Sequence, residues 1–201
     1  MIPLAEIRQT LSSHKPQTVS CEEFPQHRHA AVAMLLRCDK TGPEVLYVLR
    51  SEHEGDPWSG NIGFPGGHIE NDDPSPQQTA ERETCEEIGL DLSQGEYLGR
   101  LDDVFGAHLP VVVACYAYHL PTTAPFTLSD EIAQTFWMPL HELVDPQRQT
   151  QIEVDFRGER LVRPALDLLG PGRTRLWGIT YRMTTQFLAL FGHALPATSI
   201  P

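Results

Sequence analysis

The chain has 201 residues, of which 40% are hydrophobic, and this is enough to build one globular domain with a sizeable core. Asp and Glu number 27 against 15 Lys and Arg, giving a net charge of −12 that disfavours nucleic acid as the main partner. An acidic protein can still bind phosphates through divalent cations. Residues 151–201 differ from the rest, because they carry 6 basic and 4 acidic side chains.

Cellular context follows from apolar runs and cysteine spacing. No apolar run is long enough to span a membrane, and residues 1–18 lack the apolar stretch of a secretory signal. The four cysteines show no CxxC spacing, which favours reduced thiols over a disulfide framework or a zinc site. We therefore expect a cytoplasmic protein without a membrane partner, and a homodimer is left open.

The first half of the chain has three recognisable segments. Residues 30–37 and 44–50 are apolar runs around a turn-like stretch, which predicts a β-hairpin. Residues 51–67 are rich in Gly, Pro and Ser, which predicts a loop that approaches a ligand closely. A helix is predicted from Ser75, the N-cap of a capping box with Gln78, to Gly89, its C-terminal stop.

The second half alternates strands and helices without a regular period. Strands are predicted at residues 97–105, 110–119 and 134–138, and helices at residues 140–144 and 176–191. This order predicts an α/β protein of the α+β type, with a mixed β-sheet sandwiched between helices. We expect a single domain over residues 1–201, with its core at about 28–145 and a C-terminal extension, 146–201, packed on it.

Three glutamates stand out on the helix that follows Ser75. Glu83, Glu86 and Glu87 occupy positions i, i+3 and i+4, so they are expected to share one face. Like charges at these spacings each cost about 0.2–0.5 kcal/mol, and such a locally unfavourable cluster suggests a functional site. Carboxylate oxygens suit hard cations, Mg²⁺ above all and Mn²⁺ as a substitute. A solvated acidic face is the alternative for an isolated pattern of this kind.

The surrounding residues favour the metal site. Gly67, Asp73 and the run Arg82-Glu83-x-x-Glu86-Glu87-x-Gly89-Leu90 resemble the Nudix box. Asp73 stands where the box usually has Glu, and one extra residue precedes the Arg, as in the coenzyme A pyrophosphatase branch of the family. The resemblance covers about residues 30–191 and includes Phe64-Pro65-Gly66-Gly67, Leu101-Asp102-Asp103, Phe136-Trp137-Met138-Pro139-Leu140 and Trp177-Gly178-Ile179-Thr180.

This resemblance implies roles for individual residues. Glu83, Glu86 and Glu87 would be the metal ligands, helped by a backbone carbonyl of Gly66 or Gly67. Arg82 would brace the carboxylates, and its spacing predicts a pair with Glu86. The general base would be either a glutamate of the box or an acid on a distant loop. For the second option Glu131 is the candidate, a solvated loop acid being its alternative.

Substrate contacts are predicted before the box and near the C-terminus. The predicted substrate-binding residues are Arg50, Trp58, Phe64, Gly66 and Gly67. Trp58 suits stacking on a base, with loop packing as the alternative. Several C-terminal arginines could also reach phosphates, although a solvated surface position is favoured for any one of them: Arg157, Arg160, Arg163, Arg173 and Arg175.

The resemblance implies a Mg²⁺-dependent pyrophosphohydrolase that acts on a nucleoside-diphosphate derivative, with coenzyme A or one of its derivatives as first choice. A pyrophosphatase for NADH or ADP-ribose is the alternative, as is a Nudix-fold nucleotide-binding module without turnover. Arg50-Ser51 and Gly60 match a motif of the coenzyme A branch, but Gly55-Asp56 stand near the place of its second Arg. Unless the C-terminal arginines compensate, we expect little or reversed preference for coenzyme A over its dephospho form.

Overall fold

The computed structural model describes residues 2–53, 58–121, 125–156 and 158–196. Its helices are α1 (Leu4–Ser13), α2 (Pro76–Ile88), α3 (Leu140–Leu143) and α4 (Gly178–Ala189). Its strands are β1 (Arg28–Asp39), β2 (Gly42–Arg50), β3 (Ile62–Gly63), β4 (Gly66–His68), β5 (Glu96–Arg100), β6 (Val104–Phe105), β7 (Val111–His119), β8 (Ile132–Pro139), β9 (Gln149–Phe156) and β10 (Glu159–Leu166). None of the described helices is long and apolar enough to span a membrane.

An eight-stranded mixed sheet organises the fold. Its central path runs β3-β2-β1-β7-β5, and β4, β8 and β6 pair with β1, β2 and β7 respectively. Strand β1 is parallel to β7 along nine residue pairs but antiparallel to β2 and β4. Strand β2 pairs with the C-terminal part of β1, and β4 pairs with its N-terminal part. The two glycines of β4 therefore lie opposite Ala31 and Val32. This pairing fixes the position of Gly66 and Gly67.

The side chains of the sheet alternate between two apolar layers, as expected for strands with both faces covered. On one face, Ala80 and Ile88 of α2 pack with Ala33 and Leu35 of β1. On the opposite face, α1 and α4 pack against the intervening residues of β1, with Phe187 among the largest fully buried side chains. The predicted arrangement, a mixed sheet sandwiched between helices, is therefore confirmed.

Helix α2 begins and ends where the sequence predicts. The Ser75 side chain accepts a hydrogen bond from the backbone N–H of Gln78 at 3.3 Å. At the other end, Gly89 takes the left-handed conformation (φ 69°), and its N–H bonds to the carbonyl of Cys85 at 2.9 Å. These caps satisfy backbone groups that would otherwise lack partners, and they set the length of the helix that carries the box glutamates.

Two predictions of local structure were wrong, and two features of the fold were not predicted. The predicted loop at residues 51–67 contains β3 and the start of β4, which are too short to produce an alternating pattern. The predicted strand at 97–105 is divided into β5 and β6, and the side chains of Asp102 and Asp103 between them accept hydrogen bonds from the backbone N–H groups of Gln17 and Val19. Helix α1 and the β9–β10 hairpin were not predicted at all.

The C-terminal region contacts the rest of the chain through apolar residues. Leu166, Leu168 and Leu176 belong to the same buried cluster as the α4 side of the sheet. The β9–β10 hairpin forms a separate two-stranded sheet. The domain limits proposed from the sequence stay a prediction. All four cysteines lie in the described ranges, and none of them forms a disulfide there.

Candidate active site

A cavity of about 550 Å³ opens where β4, the start of β1 and helix α2 meet. Glu83 and Glu87 of α2 face it, as do the two glycines of β4. Its lining also includes Arg28, Ala30, Val32, Arg50, Trp58, Asn61, Ile62, Gly63, Phe64, His68, Glu70, Val111, Val113, Glu131, Ile179 and Thr180. A cleft of this size, with mostly apolar walls and a few convergent charged groups, is typical of a small-molecule site.

Gly66 and Gly67 bring the backbone of β4 against the carboxylates. The N–H of Gly66 donates to Oε2 of Glu87 at 2.9 Å. A Cβ on Gly66, whose φ is 147°, would lie 2.3 Å from the carbonyl oxygen of Ala31. A Cβ on Gly67 would instead lie 2.5–2.6 Å from the Glu83 carboxyl group. The first glycine is required by backbone packing, and the second by the carboxylate beside it.

Glu87 is a buried carboxylate with few donors. Its side chain is 4% exposed, and besides Gly66 it accepts from Nη1 of Arg50 at 3.1 Å. Burial raises its pKa to about 7; the Gly66 N–H and Arg50 lower it, while Glu83 and Glu131 raise it further. Burial also raises the pKa of Glu83. The negative charge of this cluster is therefore incompletely compensated, which is the condition that a bound cation relieves.

Glu131 approaches the same cavity from the loop before β8. Its Oε2 lies 3.6 Å from Nη2 of Arg50, and its side chain is 62% exposed. Backbone hydrogen bonds hold the loop in place: the N–H of Ser129 donates to the carbonyl of Glu87, and the N–H of Ser51 donates to that of Glu131. The loop acid that sequence reasoning chose is thus brought within reach of the box glutamates.

Arg82 lies beside the cavity and contacts several acids at once. It donates two hydrogen bonds to Asp73, both of 3.0 Å, and its Nη1 lies 3.1 Å from Glu86 and 2.9 Å from Glu83. The predicted pair with Glu86 is present, but the bidentate partner is Asp73. Bonds from Arg82, from the backbone of Glu70 and from Thr79 hold the pKa of Asp73 well below its usual range.

The donor chemistry fits a hard divalent cation. Glu83 and Glu87 offer carboxylate oxygens to one cavity, and their burial and mutual repulsion favour a positive charge between them. Glu83, Glu86 and Glu87 would hold the ion. Among the described residues, however, no three acidic, His or Cys side chains are gathered around one point. Arg82 pairs with Glu83 and Glu86, and Arg50 with Glu87.

The positions of the predicted site residues divide them into two groups. All five predicted substrate-binding residues line the cavity, as do Glu83, Glu87 and Glu131. Glu86 does not line the cavity: its side chain is 58% exposed and contacts Arg82, so its place among the metal ligands stays a prediction. Gly55, Asp56 and Arg157, which entered the substrate argument, lie outside the described residues.

Sequence reasoning missed several lining residues. Arg28, at the start of β1, adds a cation to the cavity wall and belongs to no motif. Asn61 lines the cavity, and its side chain accepts a hydrogen bond from the Trp177 indole at 3.0 Å, tying the loop before β3 to the start of α4. The contact between Asn61 and Trp177 could have been suspected from the Trp177-Gly178-Ile179-Thr180 resemblance. Nothing in the sequence indicated that Arg28 would line the cavity.

Comparison with known proteins adds the following. The family model described as NUDIX domain matches residues 27–157. An uncharacterized Schizosaccharomyces pombe protein, C14C4.10c, is 35% identical over 121 residues, which are 56% of this chain and 37% of that protein's length. A Mus musculus protein, mitochondrial coenzyme A diphosphatase NUDT8, is 31% identical over 184 residues, covering 87% of this chain and 85% of that protein. A crystal structure of a MutT/nudix family protein from Enterococcus faecalis aligns with a TM-score of 0.53 and 17% identity, covering 94% of this chain and 74% of that one.

Proposed function

Because the chain belongs to the Nudix hydrolase family, we propose that it is a Mg²⁺-dependent pyrophosphohydrolase whose first-choice substrate is coenzyme A or a coenzyme A derivative. The family makes the chain a hydrolase of phosphoric anhydrides. The metal and the substrate are the parts that we propose. Mn²⁺ is expected to replace Mg²⁺, since both are hard cations that prefer oxygen ligands.

The observation that carries this proposal is the meeting of Glu83, Glu87 and Gly66 at one cavity. Two largely buried carboxylates beside a backbone that admits no side chain form a surface where a diphosphate could approach only with a cation. When bound, a divalent cation supplies charge neutralisation of the diphosphate and lowers the pKa of a water molecule. Without it, the cavity would repel the substrate.

The chain's own residues would orient and activate the reactants. Arg82, fixed by Asp73, would hold Glu83 and Glu86 at their positions on α2. Arg28 and Arg50 line the cavity and carry the positive charge with which a phosphate oxygen can form charge-assisted hydrogen bonds. The proton of the attacking water would pass either to a box glutamate or to Glu131. Arg50 lies beside both kinds of candidate, since it contacts Glu87 and Glu131.

Support for coenzyme A comes from the mouse relative, because it is a coenzyme A diphosphatase that aligns along most of this chain. Asp73 and the longer spacer before Arg82 agree with that branch. A pyrophosphatase for ADP-ribose or NADH is the second candidate, favoured by Gly55-Asp56 near the place of the branch's second loop Arg. A module that binds nucleotides without turnover is the third. It is disfavoured because the acidic residues around Glu87 repel one another and destabilise the fold, and a module without turnover would not need them.

The test is a substrate panel. Purified protein would be incubated with coenzyme A, dephospho-coenzyme A, ADP-ribose and NADH, and the monophosphate products would be separated and quantified. We expect hydrolysis that requires Mg²⁺ or Mn²⁺, that stops with EDTA, and that has its highest kcat/KM with a coenzyme A compound. Hydrolysis of only ADP-ribose or NADH would show that the substrate is one of these compounds and not coenzyme A. Nucleotide binding without any cleavage would favour the non-catalytic module.

A further inference from the structure

A second cavity, of about 360 Å³, adjoins the first one. The two share five lining residues: Trp58, Asn61, Ile62, Ile179 and Thr180. Its remaining wall comes from the segment after β6, from the β9–β10 hairpin and from the start of α4. A molecule whose diphosphate lies beside Glu83 and Glu87 can therefore extend past Trp58 into this second space. The inference below rests on the proposed function, because it concerns the substrate of the same site.

The walls of the second cavity are mainly apolar and include two indole rings. Trp58 lies at the boundary with the first cavity, and Trp177 lies beyond it, with its indole N–H bonded to Asn61. Val154 and Pro164 of the hairpin contribute aliphatic surface. Aromatic and aliphatic walls of this kind accept the flat faces of a nucleobase, which stacks favourably on tryptophan.

Two arginines give this apolar space a positive charge. Arg163 of β10 and Arg182 of α4 both line it. Arg182 donates to the carbonyl of Phe105, and Nη2 of Arg163 lies 3.0 Å from Nε2 of His108. Because a guanidinium can only donate, the His108 ring nitrogen is the acceptor in this contact. Asp155 is the acid of the same wall, and it accepts a hydrogen bond from the backbone of Gly158.

Neither arginine is neutralised by a partner. Within the described part of the chain, no carboxylate forms an ion pair with Arg163 or Arg182. Most other arginines at or near the first cavity do have acidic partners, as Arg50 and Arg82 show. Two unneutralised guanidinium groups at one apolar cavity, in a chain with a net charge of −12, are the arrangement that a bound anion would complete.

We propose that the second cavity binds the nucleoside end of the substrate, and that Arg163 and Arg182 bind a phosphate group carried by its ribose. A neutral acyl or pantetheine-like arm would gain nothing from the two cations, which is why the nucleotide end is assigned here. The missing loop Arg led us to expect little or reversed preference for a substrate with the extra phosphate, unless C-terminal arginines compensate. In this proposal Arg163 and Arg182 are the compensating cations.

Binding of a nucleotide fragment tests the proposal without requiring turnover. The probes are adenosine 3′,5′-bisphosphate and AMP, which differ only by the ribose phosphate, and the measurement is titration calorimetry at fixed Mg²⁺ and ionic strength. We expect the wild-type protein to bind the bisphosphate at least about tenfold more tightly than AMP. Arg163→Gln should reduce this ratio to nearly 1, and Arg163→Lys should keep part of it, since lysine retains the charge but not the planar fork.

A matched control is available on the same strand. Arg160 is an exposed arginine of β10 that lines neither cavity, so Arg160→Gln removes an equal charge and should leave the ratio unchanged. Arg182→Lys serves as a second variant, because Arg182 is partly buried and its replacement by Gln could affect folding. A thermal melt of each variant verifies that it is folded.

The proposal would be overturned if the wild-type protein showed no preference for the bisphosphate, including no measurable binding of it. It would also be overturned by an unchanged ratio in both Arg163→Gln and Arg182→Lys. An equal loss in Arg160→Gln would also overturn it, because the effect would then be one of overall charge. If the protein prefers the bisphosphate but does not hydrolyse coenzyme A, only the proposed function is refuted. If it hydrolyses coenzyme A but does not prefer the bisphosphate, only the proposed phosphate subsite is refuted.

Discussion

Asp73 and Glu87 are both largely buried carboxylates in contact with an arginine, yet their pKa values are shifted in opposite directions from those of free side chains. Their side chains are 7% and 4% exposed. Asp73 accepts four hydrogen bonds, two of them from Arg82, and its pKa is held below the usual range. Glu87 accepts two, from Gly66 and Arg50, and burial raises its pKa to about 7.

The difference shows that an arginine contact alone does not determine the state of a buried carboxylate. What matters is the number of donors set against the cost of desolvation and against neighbouring charges. Asp73 has enough donors to be a stable anion and serves to hold Arg82. Glu87 has too few donors, and Glu83 and Glu131 lie close by, so its charged form is destabilised until a cation binds beside it. One region stabilises the fold, and the other is the place where we propose that a cation binds.

The largest expected effect is on turnover. Glu87→Gln should lower kcat more than about 100-fold, since it removes a ligand charge from the proposed cation site while the side chain keeps its shape. Steady-state hydrolysis at saturating Mg²⁺ measures this loss. The matched control is Glu81→Gln on the same helix, where the acid accepts hydrogen bonds from Tyr118 and Gln77 and does not line the cavity. Glu87→Gln activity within tenfold of wild type would contradict the assignment.

A second contrast separates the two glycines of β4. Gly66→Ala should reduce the free energy of unfolding by about 4 kcal/mol, because the new Cβ meets the backbone oxygen of Ala31 and φ is unfavourable. Gly67→Ala should cost far less stability but about 100-fold in kcat/KM, since its Cβ displaces the movable Glu83 side chain. Urea unfolding and kinetics on both variants give the two numbers. Parallel losses of stability and rate in Gly67→Ala would make that glycine structural.

Asp73→Asn should lower the stability of the protein by about 2–3 kcal/mol near pH 7, because the bidentate charge-assisted pair with Arg82 is lost. The pKa of Asp73 is lower in the folded protein than the value of 3.8 for a free aspartate, so its contribution to stability is present above about pH 4 and is lost as the pH falls further. The difference between wild type and variant, measured by urea unfolding, should therefore shrink below pH 4. A stability difference between wild type and Asp73→Asn that does not change with pH would mean that the charge of Asp73 does not stabilise the folded protein.

Glu87 should show the opposite dependence in protein freed of metal by EDTA. Its folded pKa of about 7 exceeds the value of 4.5 for a free glutamate, so the stability that it contributes is present at low pH and is lost as the pH rises from about 4.5 to 7. Glu87→Gln should thus be more stable relative to wild type at pH 8 than at pH 5, by on the order of 1–2 kcal/mol. Melting curves at the two pH values measure this. An advantage that is larger at pH 5 would contradict the raised pKa.

Local sequence rules were sufficient for the parts of the fold whose signals lie close together in the chain. The caps of α2, Ser75 and Gly89, act within one helical turn, so their residue types predict both ends of the helix. The β1–β2 hairpin follows from two adjacent apolar runs for the same reason. The box spacing also predicted the Arg82–Glu86 pair, which depends only on helix geometry.

Contacts between distant residues were decided by the tertiary structure alone. Glu81 of α2 accepts a hydrogen bond from Tyr118 on strand β7, and no local sequence pattern reveals that partner. Gly66 and Gly67 read alike in the sequence, but β4 pairing with β1 sets one against backbone and the other against Glu83. Likewise, Arg163 differs from Arg160 only because the register of β10 turns it toward the second cavity. A strand's side chains alternate between two faces, and only the packing of the whole chain decides which face meets a cavity.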